Sequence, residues 1–215
     1  MQRRVRWMAV WLLVPLRAGT AQDASAAFRV GVSIGSVSYA GATRTVENRP
    51  DDPTARPHHP TMWGLTVSRG ARGARLQASL AWGQAGLAVR GNPEATEDGS
   101  GSALQIVVDN VFRVTAISAG ISAPLKRFSA GPVLRPSLGL LLERWASPGA
   151  PTQSLLGAES GLALEVPLSR SFSGVFGVVV GYTPGSPFRE EGVPEGFITR
   201  STWRRTLSGG VMLRL

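Results

Sequence analysis

Residues Phe172 to Tyr182 read FSGVFGVVVGY, and their side chains separate by parity. Phe172, Gly174, Phe176, Val178, Val180 and Tyr182 fall on one side, Ser173, Val175, Gly177, Val179 and Gly181 on the other. A period of two belongs to an extended strand with one large apolar face and one face of smaller groups. The same split recurs on both sides of this stretch. Downstream, Trp203 to Leu215 sets Trp203, Leu207, Val211 and Leu213 against Arg204, Thr206, Ser208 and Gly210, with Arg205 the exception on the apolar face. Upstream, Ser154 to Val166 and Val133 to Ala146 alternate in the same way, as do Phe28 to Gly35, Met62 to Arg69 and Arg75 to Gly83. Leu104 to Ala123 is the least regular. Phe112, Val114 and Ala116 share a face with Ser118 and Gly120, and Ile117 and Ile121 take the other, which predicts a bulge or register change near Thr115 to Ile117.

Eight strands result, and the links between them alternate in length. Gly70 to Ala74, Pro124 to Ala130 and Pro167 to Ser171 are short; Gly41 to Pro60, Gly91 to Ala103 and Thr183 to Ser201 are long and polar, with Ser147 to Gln153 between. Short turns on one rim, long loops on the other and an even strand count are the layout of a transmembrane β-barrel with its long loops outside the cell.

Composition agrees with a glycine-rich β protein. The 215 residues include 26 glycines and 17% charged residues, less charge than a solvated helical bundle carries. There is no cysteine, hence no disulfide framework, thiolate zinc site, thiol nucleophile or lipoprotein anchor. Met1 to Arg6 holds three arginines, Trp7 to Leu16 is apolar, and Ala18-Gly19-Thr20-Ala21 offers small residues for cleavage. This predicts a signal peptide over 1–21 and a barrel domain over 22–215, with Ala24-Ser25-Ala26 a second cleavage candidate. The apolar run of ten is about half the ~20 residues that a spanning helix needs. Removing 1–21 takes away four arginines and no acid, leaving 19 basic and 14 acidic residues, net +5. Lys126 is the only lysine, and the arginine excess alone gives no reason to expect a nucleic-acid partner.

Alternation by itself fits a membrane barrel, apolar outside, and a soluble lipocalin-like barrel, apolar inside. Two features favour the membrane. The smaller face is made mostly of Gly, Ser, Ala and Thr, which suits a crowded lumen better than a solvated surface. Aromatic residues also gather at strand ends: Tyr39, Trp63, Trp82, Trp145, Tyr182 and Trp203 toward the long loops, Phe28 and Phe172 at the opposite ends. Aromatic rings are favoured at the headgroup level, so these eight are expected to form two interfacial girdles. The fold expected is all-β, an eight-stranded antiparallel up-and-down transmembrane barrel.

Taken together, the leader, the alternating strands and links, and a last strand running to Leu215 resemble the small outer-membrane β-barrel proteins of Gram-negative bacteria, the OmpA/OmpX-like superfamily. The resemblance spans the whole of 22–215. It implies residence in the outer membrane after leader cleavage, contact with membrane lipid and lipopolysaccharide, and delivery by the barrel-assembly machinery through the C-terminal strand. The family's last residue is usually aromatic, and this chain has Leu215 there. With the last strand reaching the C-terminus, no peptidoglycan-binding domain is expected to follow it.

By parity, Arg29, Arg75, Arg135, Arg204 and Arg214 face inward with Glu143, Glu159 and Glu165. An eight-stranded lumen is just filled by side chains, so these charges are expected to form an internal ion-pair network, with a gated polar conduit as the alternative. Catalytic groups are scarce. His58 and His59 stand together in the first long link beside Asp51, Asp52 and Thr54, with no serine fixed near them by spacing. A lipid A-modifying barrel enzyme would need one of them to converge with a serine and a carboxylate. Metal and nucleotide motifs are absent, so no catalytic residue, cofactor or metal is assigned. The acidic clusters Asp51-Asp52, Glu94-Glu97-Asp98 and Glu190-Glu191-Glu195 could hold divalent cations near lipopolysaccharide phosphates. Arg44, Arg49, Arg56, Arg189 and Arg200 could contact those phosphates directly. Three functions stay open: a non-enzymatic outer-membrane barrel presenting loops for envelope integrity, adhesion or recognition; a lipid A-modifying enzyme; and a soluble secreted binding barrel.

Overall fold

The computed structural model describes residues 27–45, 54–70, 73–90, 105–129, 131–189 and 197–215. The leader expected over 1–21 lies outside these residues, as do Arg49 and the three acidic clusters of the long links. The regular elements among the described residues are strands: β1 (Ala27–Thr45), β2 (Thr54–His58), β3 (Thr61–Gly70), β4 (Arg75–Arg90), β5 (Gln105–Ser122), β6 (Lys126–Arg127), β7 (Val133–Ala146), β8 (Gln153–Pro167), β9 (Phe172–Thr183) and β10 (Phe197–Arg214).

Eight of them close a ring in the order β4-β3-β1-β10-β9-β8-β7-β5, with β5 pairing back onto β4 and every pairing antiparallel. Chain neighbours lie side by side, and the seam joins the first strand to the last, from Arg29 opposite Arg214 to Gly41 opposite Thr202. Closure leaves these eight strands without a bare edge, so backbone donors and acceptors are satisfied within the wall. The register fixes the barrel's shape. From Val30 the partners run through Val67, Ala78, Ala119, Leu140, Ala158, Tyr182 and Trp203 to Ala40, ten residues along β1 from the start. With a rise of ~3.4 Å per residue and strands ~4.8 Å apart, that stagger over eight strands tilts them by about 40°. Transmembrane barrels tilt their strands by roughly 35–45°.

The two short strands extend the wall. β2 lies against the loop-side end of β4, Thr54 opposite Arg90 and His58 opposite Gly86, so it prolongs β3 beyond a break at His59-Pro60. β6 folds a two-residue hairpin onto β7 in the short-turn rim. Strand bodies lie where the alternation placed them, but several reach further toward the long loops. β4 runs to Arg90 where Gly83 was expected to end it, β10 starts at Phe197 ahead of Trp203, and β1 continues past Gly41 to Thr45. β1 crosses Gly41 by a bulge: its register with β10 shifts between Gly41 and Thr43, and Gly41 and Ala42 take φ of 87° and 73°. There Thr43 Oγ1 donates to the Ala55 carbonyl at 2.8 Å and accepts from the Ala55 amide at 2.9 Å, tying β1 to β2 by a side chain.

The irregularity of β5 is displaced from its expected place. Arg113 to Ser122 pair with β7 without a shift; the break falls between Val108 and Phe112, opposite Ala85 to Leu87, where Asn110 has φ 57°. Phe112, Val114 and Ala116 point inward with Ser118, and Ile117 and Ile121 point outward all along. The strand keeps its faces; the interior it lines turns from hydroxyl groups to hydrocarbon.

Two strands approach closely at Gly120 and Gly139, register partners on β5 and β7. A Cβ at Gly120 would lie 2.3 Å from the Leu138 carbonyl oxygen and 2.7 Å from Gly139 Cα. Gly120→Val is therefore expected to push the strands apart and destabilise the barrel by about 1–3 kcal/mol, read as a lower urea midpoint in detergent.

Candidate functional site

The outer wall is apolar around the ring. Val32, Leu76, Ile117, Leu138, Leu156 and Phe176, from six different strands, are all exposed. A soluble monomer seldom exposes a contiguous apolar patch above a few hundred Å². Toward the long loops, Trp63 stands opposite Trp82 and Tyr182 opposite Trp203, the latter two rings 4.8 Å apart between centroids, and all four are exposed. Phe28 and Phe172 are exposed at the short-turn end, with the Arg69 guanidinium 5.2 Å over the Phe28 ring.

Tyr39 and Trp145 correct the sequence reading. Each is 2% exposed and faces the lumen, where their rings meet edge to face with centroids 5.1 Å apart. Parity puts both there, since each shares the odd-numbered face of its strand with an inward residue, Val37 on β1 and Glu143 on β7. Proximity to a strand end had outweighed that signal. Arg113 and Arg144 were not singled out from sequence. They are exposed on the outer wall: Arg113 stands opposite Gln84, and Arg144 opposite Thr115, itself the partner of Trp82.

The inward charges form two clusters. At the short-turn end, Glu165 on β8 is shared by Arg75 of β4 and Arg135 of β7; Arg75 Nη1 meets Oε1, and Arg135 Nε donates to Oε2 at 3.1 Å. Arg135 Nη1 also donates to the Gly73 carbonyl at 3.3 Å. Nearer the long loops, Arg204 on β10 reaches Glu143 Oε1 at 3.2 Å through Nη1 and Glu159 Oε2 at 2.7 Å through Nη2. Glu143 also accepts from Tyr39 Oη and Trp145 Nε1, each at 3.4 Å, and is 1% exposed. Arg29 and Arg214 join neither cluster. They are register partners across the seam, and Arg29 Nη1 is buried without a hydrogen-bond partner among the described residues.

Between the clusters lies a cavity of about 210 Å³, lined by hydroxyl groups of Ser33, Thr66, Ser79, Ser118, Ser137 and Ser208 among others. Beyond the upper cluster, Phe112 packs against Trp145 and Phe188 with centroids 6.0 and 5.7 Å apart, together with Val37, Leu141 and Leu155. Hydrocarbon thus fills the lumen toward the long loops. Sequence reasoning had not assembled this plug; the signal lay in the large apolar residues at inward parity.

His58 ends β2 and His59 follows, their ring centroids 4.9 Å apart. Among the described residues no hydrogen bond or ion pair joins either imidazole to a serine, aspartate or glutamate, and no three His, Asp or Glu converge as metal ligands. Of the loop-side arginines, Arg56, Arg189 and Arg200 are exposed and Arg44 is half-buried.

No protein-family model matches the sequence, and no curated protein matches it. Solved structures do. Neisserial surface protein A aligns with a TM-score of 0.51 at 12% identity, over 87% of this chain and 97% of its own. The outer membrane protein AlkL, solved in lipid bilayers, aligns with a TM-score of 0.52 at 10% identity, over 92% of this chain and 94% of its own. The likeness is one of fold: this chain has the architecture of the small outer-membrane β-barrel proteins, as its strand pattern led us to expect.

Proposed function

We propose that the chain is an integral outer-membrane barrel with no catalytic role, delivered by its leader over 1–21, whose rigid wall carries the long loops for envelope integrity, adhesion or recognition. The observation that carries this reading is the apolar outer wall, encircling a lumen whose short-turn half and middle hold ion pairs and hydroxyl groups, where a soluble ligand-binding barrel has its polar face outward. In that setting Trp63, Trp82, Tyr182 and Trp203 sit at the outer headgroup level and Phe28 and Phe172 at the inner one. Arg113 and Arg144, just beyond Trp82, face lipopolysaccharide phosphates, and the last strand is what the assembly machinery grips. Among the described residues neither histidine is bonded to a serine or a carboxylate, and the hydrocarbon plug occupies the loop-side lumen, which favours a structural barrel over a lipid-modifying enzyme.

The test is electrophoretic. Protein extracted from the outer-membrane fraction in mild detergent should migrate differently on a denaturing gel before and after boiling, because a closed barrel resists the detergent until heated. Recovery in the soluble periplasmic fraction, with no heat-dependent shift, would overturn the reading.

A further inference from the structure

The short-turn mouth of the barrel holds far more positive than negative charge. Arg29, Arg75, Arg135 and Arg214 line a pocket of about 200 Å³ in which Glu165 is the one carboxylate among the described residues. That carboxylate is already shared by Arg75 and Arg135. Arg29 and Arg214 face each other across the seam with no ion pair to a described residue, and like charges directly opposite on a sheet repel. Arg29 Nη1 is also shielded from water with no acceptor among the described residues. A charged donor atom shielded from water without an acceptor is unfavourable, and among the described residues no carboxylate pairs with Arg29 or Arg214, so an added anion would be stabilised here. Guanidinium groups bind phosphoryl oxygens in a bidentate fork, and several of them around one pocket suit a multiply charged phosphate.

We propose that this mouth is a binding site for phosphoryl anions, with Arg29 and Arg214 as the residues that receive the ligand and the Arg75-Glu165-Arg135 cluster as its floor. The phosphoryl group could belong to free phosphate or to the headgroup of an anionic phospholipid beside the rim. Binding does not depend on what the loops recognise. The assignment of the mouth to the periplasmic side, and a lipid headgroup as the source of the phosphoryl group, rest on the membrane reading, which the heat-dependent gel shift tests separately.

The experiment follows backbone amide signals of Gly131 and Ser173, which border the pocket, and arginine Nε–H signals, by NMR of the membrane-extracted protein in detergent. Inorganic phosphate is added at constant ionic strength, with sodium chloride making up the difference. Saturable shifts are expected, with affinity at least tenfold weaker in Arg29→Gln and in Arg214→Gln, each first shown to fold by its gel shift. A second arm places the protein in nanodiscs of phosphatidylcholine or phosphatidylglycerol. Shifts that appear only with phosphatidylglycerol, and are lost in the same variants, support the site with a lipid headgroup as the source. Shifts that do not saturate, or that persist equally in both variants, overturn it. Should Arg29→Gln fail to fold, Arg214→Gln decides alone, because the Arg214 side chain is exposed and takes part in no ion pair among the described residues; unchanged affinity in that variant overturns the proposal.

Discussion

Glu143→Ala is expected to lower the unfolding free energy of the barrel by about 3–5 kcal/mol, the range for removing one partner from a buried ion pair. Glu143 is 1% exposed and accepts from three donors on three strands: Tyr39 Oη of β1, Trp145 Nε1 of β7 and Arg204 Nη1 of β10. Truncation leaves Tyr39 and Trp145 without this acceptor and Arg204 with Glu159 alone. Arg204 retains Glu159, so the lower part of the range applies if that contact tightens and the upper part if it does not. Urea unfolding in detergent, followed by tryptophan fluorescence and by the fraction of unboiled protein in the fast-migrating band, measures the change. Glu143→Gln should lose less, since its single amide oxygen can still accept on one side of the site, from Tyr39 and Arg204 at the Oε1 position or from Trp145 at the Oε2 position. A midpoint unchanged in Glu143→Ala would mean that water enters the upper lumen and solvates Arg204.

The second large effect lies on the opposite side of the wall. Leu138 is 62% exposed on β7, with Ile121 and Ser160 as its register partners. Leu138→Arg places a guanidinium against the middle of the apolar belt. In a bilayer this should destabilise by about 2–4 kcal/mol, as measured for arginine at the midplane of other barrels. In water the same change would be near neutral, because an exposed arginine needs no desolvation. Unfolding of the wild type and variant in phosphatidylcholine vesicles therefore tests the embedding itself: a loss below 0.5 kcal/mol, on the order of an ordinary surface substitution, would contradict it.

How much of this was legible in the sequence follows from what sets the alternation. Where the lumen is polar, as along Phe172 to Tyr182, inward Ser173 and Gly177 contrast with outward Phe176 and Val178, and the strand is read almost to its ends. Where hydrocarbon fills the lumen, both faces carry apolar groups and the contrast fades. β4 beyond Gly83 is such a case, with Ala85 buried in the hydrocarbon cluster and Leu87 packed against it, and so is the stretch of β5 around Phe112. β2 was hidden for another reason: Pro57 lies within it and Pro60 just beyond, and prolines read as loop although an edge or interrupted strand accommodates them. The inward charges were assigned to their face by parity alone. Which of them meet depends on the ten-residue stagger, and that could not be derived from any one strand. So Arg75 and Arg135, on strands two apart in the ring, converge on Glu165, and Arg29 does not. Tyr39 and Trp145 show the cost of weighing position along a strand above parity.

The seam between β1 and β10 also bears on the order of folding. Its partners, from Arg29 with Arg214 to Gly41 with Thr202, join opposite ends of the chain. Contacts this distant in sequence carry the largest loop-closure entropy, and folds dominated by them assemble slowly. β1 therefore waits for β10, and the first strand keeps an unpaired edge until the last strand is in place. The ring closes only once its last strand is available, and until then the edge of β1 is open to pairing with other strands.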